Sequence, residues 1–468
     1  VPAPGGEPAL AVYLRALHAA EVSVADRLAA LARTAPTPIP IDLEKALAWF
    51  EQRSGITLAN RQREAIQKSI TAKVLVITGG PGTGKTTIVR GIIEILMRKG
   101  RRILLAAPTG RAAQRMREAT GQEASTIHRL LEFSPRSFGF ERNAEHPLDA
   151  DLLILDEASM IDVSLAAALL KALRPESQLV LVGDMNQLPS VGPGSVLGDV
   201  IRSQVVPVVE LNEIFRQAER SLIVVNAHRV NRGEMPLFTP IGATGDEAEA
   251  PAADFFLVEK EEPEDVLAVV KRLVAERIPA RFGFDPRADI QVLTPMHRGL
   301  LGAANLNAEL QALLNPRGAA ITRGSRTFRV GDRVMQLRNN YQLEVWNGDL
   351  GRVAAINEDE RQVTVRFDER AVTYDYADLD ELVLGYACSI HKSQGSEFPA
   401  VVIPLHTQHY VMLQRNLLYT ALTRGRRLVV LAGNRRALGI AVKTERLLER
   451  HTRLTERLLD RLPPRGEL

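Results

Sequence analysis

The chain predicts an α/β fold of two parallel-sheet lobes, and three observations carry that reading. Short apolar runs (VLVIT, ILLAAPT, DLLILDE, QLVLVGD) each end in a polar or glycine-containing turn and alternate with stretches of helical period. A second series begins near Asp289 with IQVLTPM and resumes with FPAVVIPL and RLVVLAG. The stretch LVITGGPGTGKTT, residues 75 to 87, runs from strand through a glycine-rich loop into the helix-patterned IVRGIIEILMRKG. In such sheets the chemistry belongs along the carboxyl ends of the strands.

Each region follows in order. Residues 1–55 predict a short helical N-terminal region, since 9–34 and 42–54 have helical apolar spacing around the break APTPIPI. The opening VPAPGGEP reads as a linker and the first residue is Val1, so this region is expected to be part of a larger, truncated domain. Residues 56–235 form the first lobe, interrupted at 132–149 by EFSPRSFGFERNAEHPLD, either a protruding hairpin or an ordinary surface loop. The acidic, Ala-rich stretch 241–254 reads as a loose surface loop. Residues 236–340 and 382–468 make the second lobe. The short alternating strands RVMQL, GRVAAI, QVTVRF and AVTYDY predict a small β-barrel inserted into it, placed at 341–381.

Composition bounds the function classes. With 468 residues, 45% hydrophobic and 25% charged, the chain has the profile of an ordinary globular protein long enough for about three domains. A net charge of only +3 means that any polyanion site must come from local clustering. The single cysteine, Cys388, excludes a disulfide framework and suits a reducing compartment. With no spanning apolar run or secretory signal in view, a cytoplasmic location away from membranes is expected. No Cys/His spacing suggests zinc, and no acidic cluster beyond the loop site suggests nuclease chemistry.

The loop Gly79-Gly80-Pro81-Gly82-Thr83-Gly84-Lys85-Thr86 fits the phosphate-binding pattern G-x-x-x-x-G-K-[ST]. Its glycines let backbone N–H groups converge on phosphate oxygens, and the following helix adds its positive pole. Gly82, Thr83, Gly84, Lys85, Thr86 and Thr87 are the expected nucleotide contacts, with Lys85 on the β/γ-phosphates and Thr86 on Mg²⁺. The strand LLIL runs into Asp156 and Glu157, read as the metal carboxylate and the general base; helix N-capping is the structural alternative for such acids. Gln187, after the strand LVLVGD, is placed to sense the γ-phosphate.

The ordered set GGPGTGKTT, APTGRAAQRM, STIHRLL, LDEAS, VGDMNQLPSVGPG, LNEIFRQ, YACSIHKSQGSEF and LLYTALTRGRR resembles the motif series of a superfamily 1 DNA helicase. More narrowly it resembles the RecD-like helicases that move 5′ to 3′ on single-stranded DNA, over residues 56 to about 434. GDRVMQLRNNYQLEVWNGDLG resembles the entry into that family's barrel insertion. The resemblance implies RecA-like lobes, an SH3-like barrel, ATP and Mg²⁺ as cofactors, and lobe closure coupled to hydrolysis. It implies Gln62 as the adenine reader, Arg216 and Arg424 as arginines that approach the γ-phosphate from the second lobe, and Gly395 and Glu397 as the link between nucleotide and DNA. Thr109, Arg111, Thr126, His128, His391, Lys392 and Ser393 are the implied DNA contacts, with Arg115, Arg323, Arg326, Arg329 and Arg338 as further cationic candidates.

One departure matters. Where helicases of the opposite polarity carry stacking aromatics in their third motif, this chain has MNQLPSVGPG. A track held through the sugar-phosphate backbone follows, with a salt slope of about −0.7 per neutralised phosphate. The function implied is an ATP-dependent DNA helicase of repair or recombination. Its partners are single-stranded DNA, duplex junctions and other repair proteins reached through an upstream region. An RNA helicase or ribonucleoprotein remodeller, and an ATP-regulated single-strand binding module, stand as alternatives; a kinase or GTPase has no use for HKSQGSEF or TALTRGRR.

Overall fold

Alternation along its strands sets the two faces of the first sheet. Val74, Val76, Leu153, Leu155, Leu179 and Leu181 point into one apolar cluster, while Leu75, Ile77, Leu152, Ile154, Val180 and Val182 point into another. Both faces are therefore covered, as an all-parallel sheet requires. The computed structural model describes residues 11–134, 139–214, 218, 220–240, 253–324, 326–340, 342–368, 370–445 and 450–464. The chain divides into two units, Val1–Phe215 with Leu447–Leu468, and Arg216–Arg446.

In the first unit six parallel strands run in the order Ala124–Thr126, Ile103–Ala107, Leu152–Leu155, Gln178–Gly183, Val74–Gly79 and Val208–Leu211. The N-terminal region is built into this unit. Helix Arg15–Arg33 sends Val24, Ala25, Leu28 and Leu31 into one face, and helix Leu43–Ser54 sends Leu47 and Phe50 into the other. The expected hairpin is present as the antiparallel pair Phe133–Ser134 and Gly139–Phe140. Its base is aromatic, with the Phe133 and Phe140 ring centroids 5.4 Å apart. The linker reading of VPAPGGEP and the loop at 241–252 lie outside the described residues.

The second unit has its own parallel sheet, ordered Ala387–Ser389, Ile290–Thr294, Phe398–Leu405, Gly425–Gly433 and Phe255–Glu259. Its barrel is antiparallel, ordered Arg370–Asp375, Gln362–Phe367, Leu350–Asn357, Arg333–Gln336 and Leu382–Leu384. The boundary placed at 341–381 is thus too narrow on both sides. Strand Arg333–Gln336 pairs with both Leu350–Asn357 and Leu382–Leu384, and only that pairing closes the barrel core of Val334, Val353, Val365 and Leu382.

Two further boundaries move. Helix Leu222–Asn231, expected in the first lobe, belongs to the second unit because Asp254 holds its start. Ser221 Oγ donates to Asp254 Oδ2 at 2.6 Å and the Leu222 amide to Oδ1 at 3.0 Å. Residues 450–464, expected in the second lobe, return to the first unit. There Leu454 and Leu458 are buried in the cluster that contains Val24 and Leu28. Among the described residues, no helix is long and apolar enough to cross a membrane.

Candidate active site

Strand Val74–Gly79 is buried along its whole length and delivers the chain into the glycine loop at the carboxyl edge of the sheet. A Cβ at Gly79 would lie 2.8 Å from Thr83 Oγ1 and 2.9 Å from Leu211 Cβ, so the turn closes only around a residue without a side chain. Gly82 and Gly84 take φ of 75° and 82°, the left-handed region that curls successive amides inward. Gly84 precedes helix Lys85–Met97 and leaves its first amides open to an anion. Thr83 Oγ1 donates to the Gly80 carbonyl at 2.9 Å and braces the loop. Lys85 Nζ folds onto the carbonyls of Gly79 and Gly80, at 2.5 and 2.9 Å. Thr86 stands exposed beside it and Thr87 is half-buried.

Gln62 is tied to the phosphate loop. Its side chain is 2% exposed, its Nε2 donates to the Thr83 carbonyl at 2.9 Å, and its Oε1 accepts from the Ala59 amide at 3.0 Å. Each end of the amide makes one bond to backbone, so Gln62 braces the phosphate loop from behind and keeps one N–H and one lone pair beyond those bonds.

Strand Leu152–Leu155 lies one strand away from Val74–Gly79, with Gln178–Gly183 between them. The registers Leu155↔Leu181 and Thr78↔Gly183 bring Asp156, Asp184 and Gly79 to the same edge. Glu157 takes φ 52°, a strained value for a side-chain residue, and its amide donates to Asp156 Oδ1 at 2.9 Å. Arg115 Nη2 meets Glu157 Oε1 at 2.7 Å, so this arginine, a DNA candidate by resemblance, orients the proposed base. Burial, and after it the charge of Glu157, pushes the Asp156 carboxyl up to about 6 against the pull of Arg115 and Lys85. A carboxylate and an exposed threonine hydroxyl are oxygen donors of the kind Mg²⁺ takes. Asp156 and Thr86 fit that ion.

Gln187 Nε2 donates to Asp184 Oδ2 at 3.2 Å. Its Oε1 is buried and has no hydrogen-bond partner among the described residues, an acceptor free to hold a water.

The expected DNA contacts separate into committed and available groups. In the first unit Thr109 caps helix Gly110–Thr120 by accepting from the Ala112 amide at 3.2 Å, and Thr126 caps Ile127–Leu130 through the Arg129 amide at 3.2 Å. His128 packs on the hairpin base, 6.0 Å from Phe133 and 5.7 Å from Phe140 by ring centroid, and burial holds its pKa below the usual histidine value. Arg111 is half-buried at the start of the same helix as Arg115. In the second unit Ser393 is buried with its Oγ donating to the Ile390 carbonyl at 2.8 Å, whereas Lys392 is exposed and His391 half-buried with its pKa lowered by burial. Thr109, Thr126 and Ser393 thus each have their hydroxyl engaged by backbone, and His128 its ring by the hairpin phenylalanines.

Arg424 is 2% exposed and forks onto the carbonyls of Thr420 and Ser396, at 3.2 and 3.0 Å, and onto Thr423 Oγ1 at 3.2 Å. Its own carbonyl accepts from the Phe398 amide at 2.8 Å, which joins it to the turn at Gly395 (φ 72°) and Glu397; Glu397 pairs with Arg426 at 2.7 Å. Arg216 lies outside the described residues. Of the other arginines, Arg338 pairs with Asp380 at 3.1 Å and Arg326 donates to the Leu382 carbonyl at 3.0 Å. Sequence reasoning missed Arg450, which binds the loop after Gln187; nothing in its neighbourhood, LLERHTR, marks it.

Comparison with known proteins matches three family models: an AAA domain over residues 62–193, the SH3 domain of ATP-dependent RecD-like DNA helicases over 306–367, and a UvrD-like helicase C-terminal domain over 384–432. The RecBCD enzyme subunit RecD of Mycolicibacterium smegmatis is 31% identical over 97% of this chain and 83% of that protein. The ATP-dependent RecD2 DNA helicase of Deinococcus radiodurans is 37% identical over 92% of this chain, which spans 57% of that relative's length. A crystal structure of Bacteroides Pif1 bound to single-stranded DNA aligns with a TM-score of 0.48 and 20% identity, over 80% of this chain and 92% of that one.

Proposed function

We propose, since this chain belongs to the RecD-like helicases of superfamily 1, that it hydrolyses ATP to move 5′ to 3′ along single-stranded DNA and unwind duplex. The observation that carries the reading is the single strand edge where the glycine loop, Lys85, Asp156, Glu157 and Gln187 collect.

The chain's own groups divide the work. The loop amides and the helix start at Lys85 bind the phosphates, and Lys85 leaves the Gly79 and Gly80 carbonyls to do so. Mg²⁺, when bound by Thr86 and Asp156, neutralises phosphate charge. Glu157, held by Arg115, takes the proton of the attacking water while the Gln187 acceptor orients that water. Arg216 and Arg424 are proposed to meet the charge that develops on the phosphate. Thr109, Arg111, Thr126, His128, His391, Lys392 and Ser393 are the proposed strand contacts, and the hairpin at 133–140 the wedge at a junction. The lone, buried Cys388 suits a reducing, cytoplasmic setting. Whether other repair or recombination proteins bind is part of the same proposal.

Lys85→Ala or Glu157→Gln is expected to lower DNA-stimulated ATP hydrolysis by about 10²–10⁴-fold with the fold intact. Unwinding of partial duplexes with 5′ or 3′ single-stranded tails tests motor and direction together. Full turnover in either variant, or stimulation by RNA alone, sinks the reading.

A further inference from the structure

We propose that Arg450 is a positioning residue for ATP hydrolysis, acting through the loop that carries Gln187; this rests on the nucleotide-site reading above. Its guanidinium sits inside a ring of carbonyls. Nη1 donates to the Gly192 carbonyl, to the Gly194 carbonyl at 3.0 Å and to Ser190 Oγ at 3.4 Å, and Nη2 donates to the Ser190 carbonyl. These partners lie 256 to 260 residues away in sequence, so a remote segment of chain completes the loop.

The ring has no internal way to balance itself. Three carbonyl dipoles converge on one spot, and a planar cation with several N–H groups satisfies them together, a task suited to arginine. Ser190 Oγ lies 3.0 Å from the Gly192 carbonyl and 3.3 Å from the Gly194 carbonyl, with a single proton to divide between them. The loop's other side is fixed. A Cβ at Gly192 would fall 2.1 Å from Asp162 Oδ2, Gly194 holds φ 95°, and the Val163 amide donates to the Pro193 carbonyl at 2.9 Å. Residues 190–194 are therefore pressed between the start of helix Val163–Ala172 and Arg450. Gln187 lies three residues upstream, with one buried residue, Leu188, between it and Pro189. Its catalytic use depends on where its unsatisfied Oε1 is held.

Arg450 is itself anchored. Thr452 Oγ1 reaches Glu21 Oε2 at 2.9 Å and Asp199 Oδ2 at 3.0 Å, and Arg457 pairs with Glu21 at 2.8 Å. Asp199 lies in helix Val196–Ser203, which begins directly after the loop. The segment thus grips both the loop and the helix that leaves it.

The test compares Arg450→Ala, Arg450→Lys, Gln187→Ala and the Arg450→Ala/Gln187→Ala double variant, well below the unfolding midpoint of each. Arg450→Ala is expected to lower kcat for DNA-stimulated ATP hydrolysis by about 10- to 100-fold, with KM for ATP changed by less than about twofold. Arg450→Lys recovers part of kcat, and the double variant is no slower than Gln187→Ala alone. Hydrogen exchange of peptides covering 185–195 is expected to quicken in Arg450→Ala. Wild-type kcat in Arg450→Ala, multiplying losses in the double variant, or unchanged exchange in 185–195 overturns the proposal. Absence of ATP hydrolysis in the unsubstituted chain would instead overturn the nucleotide-site reading, and the exchange measurement would still decide whether Arg450 orders the loop.

Discussion

The ring of His409 accepts a hydrogen bond from the His406 amide at 3.3 Å through Nδ1, while its Nε2 is buried with no partner among the described residues. A proton on Nδ1 would face another N–H, and burial, then the charge of His406, pushes the pKa down to about 4. The folded pKa lies below the unfolded value of about 6.5, so the unfolded chain binds more protons between the two. Stability is therefore full above about pH 6.5 and is lost as pH falls toward 4, by at most about 3 kcal/mol. His409→Asn keeps an acceptor for the His406 amide and is expected to flatten that slope in urea titrations from pH 4 to 7; an unchanged slope would move its origin elsewhere. At this scale sequence legibility was uneven. Lys85, Asp156 and Glu157 stand at one edge of the sheet, where the motif spacing puts them, because a strand ends just before each segment. The backbone bonds of Gln62, Thr126 and Ser393 were not legible, because an amide or hydroxyl serves a backbone cap as readily as a ligand and only coordinates show the cap.

Among the elements, a buried carboxylate helps join the barrel to the rest of the second unit, beside Arg333, whose Nη1 donates to the Ile290 carbonyl at 3.0 Å. Asp332 accepts from Asn315 Nδ2 at 2.7 Å, Tyr386 OH at 2.9 Å, Gln311 Nε2 at 2.5 Å and the Arg329 amide at 2.7 Å. Four donors meet on two oxygens, two of them from helix Ala303–Leu314 and its C-cap, which places the barrel relative to that helix and to the start of strand Ala387–Ser389. Asp332→Asn turns one acceptor oxygen into a donor and is expected to cost about 1–3 kcal/mol per stranded donor, with Tyr386→Phe costing about 1. Equal urea midpoints for Asp332→Asn and the parent chain would refute this. Strand identities were legible from alternation, because each strand buries one face or two in a regular pattern. The barrel's ends were not, since Arg333–Gln336 is buried throughout, Leu382–Leu384 is too short to show a period, and the two pair across 46 or more residues of chain.

For the whole molecule, the chain leaves the first unit near residue 215 and comes back near 447. That return was invisible in the sequence: 450–464 is short, basic and weakly patterned, and its partners Glu21 and Asp199 are hundreds of residues upstream. Ending the chain at residue 445 uncovers Leu454's and Leu458's places in the core, a loss of about 3–6 kcal/mol confined to the first unit. Hydrogen exchange should then lose protection in Arg15–Arg33 and Val196–Ser203 while Gly425–Gly433 keeps it. Uniform loss across both units would contradict that. The same doubling back has a consequence during synthesis. A ribosome finishes every residue of the second unit before it releases the piece that seals the first, so the earlier-made half waits with an open seam over its first helix. The half begun later is the one equipped to mature first, and the nascent protein's vulnerable period lasts until residues 450–464 clear the exit tunnel.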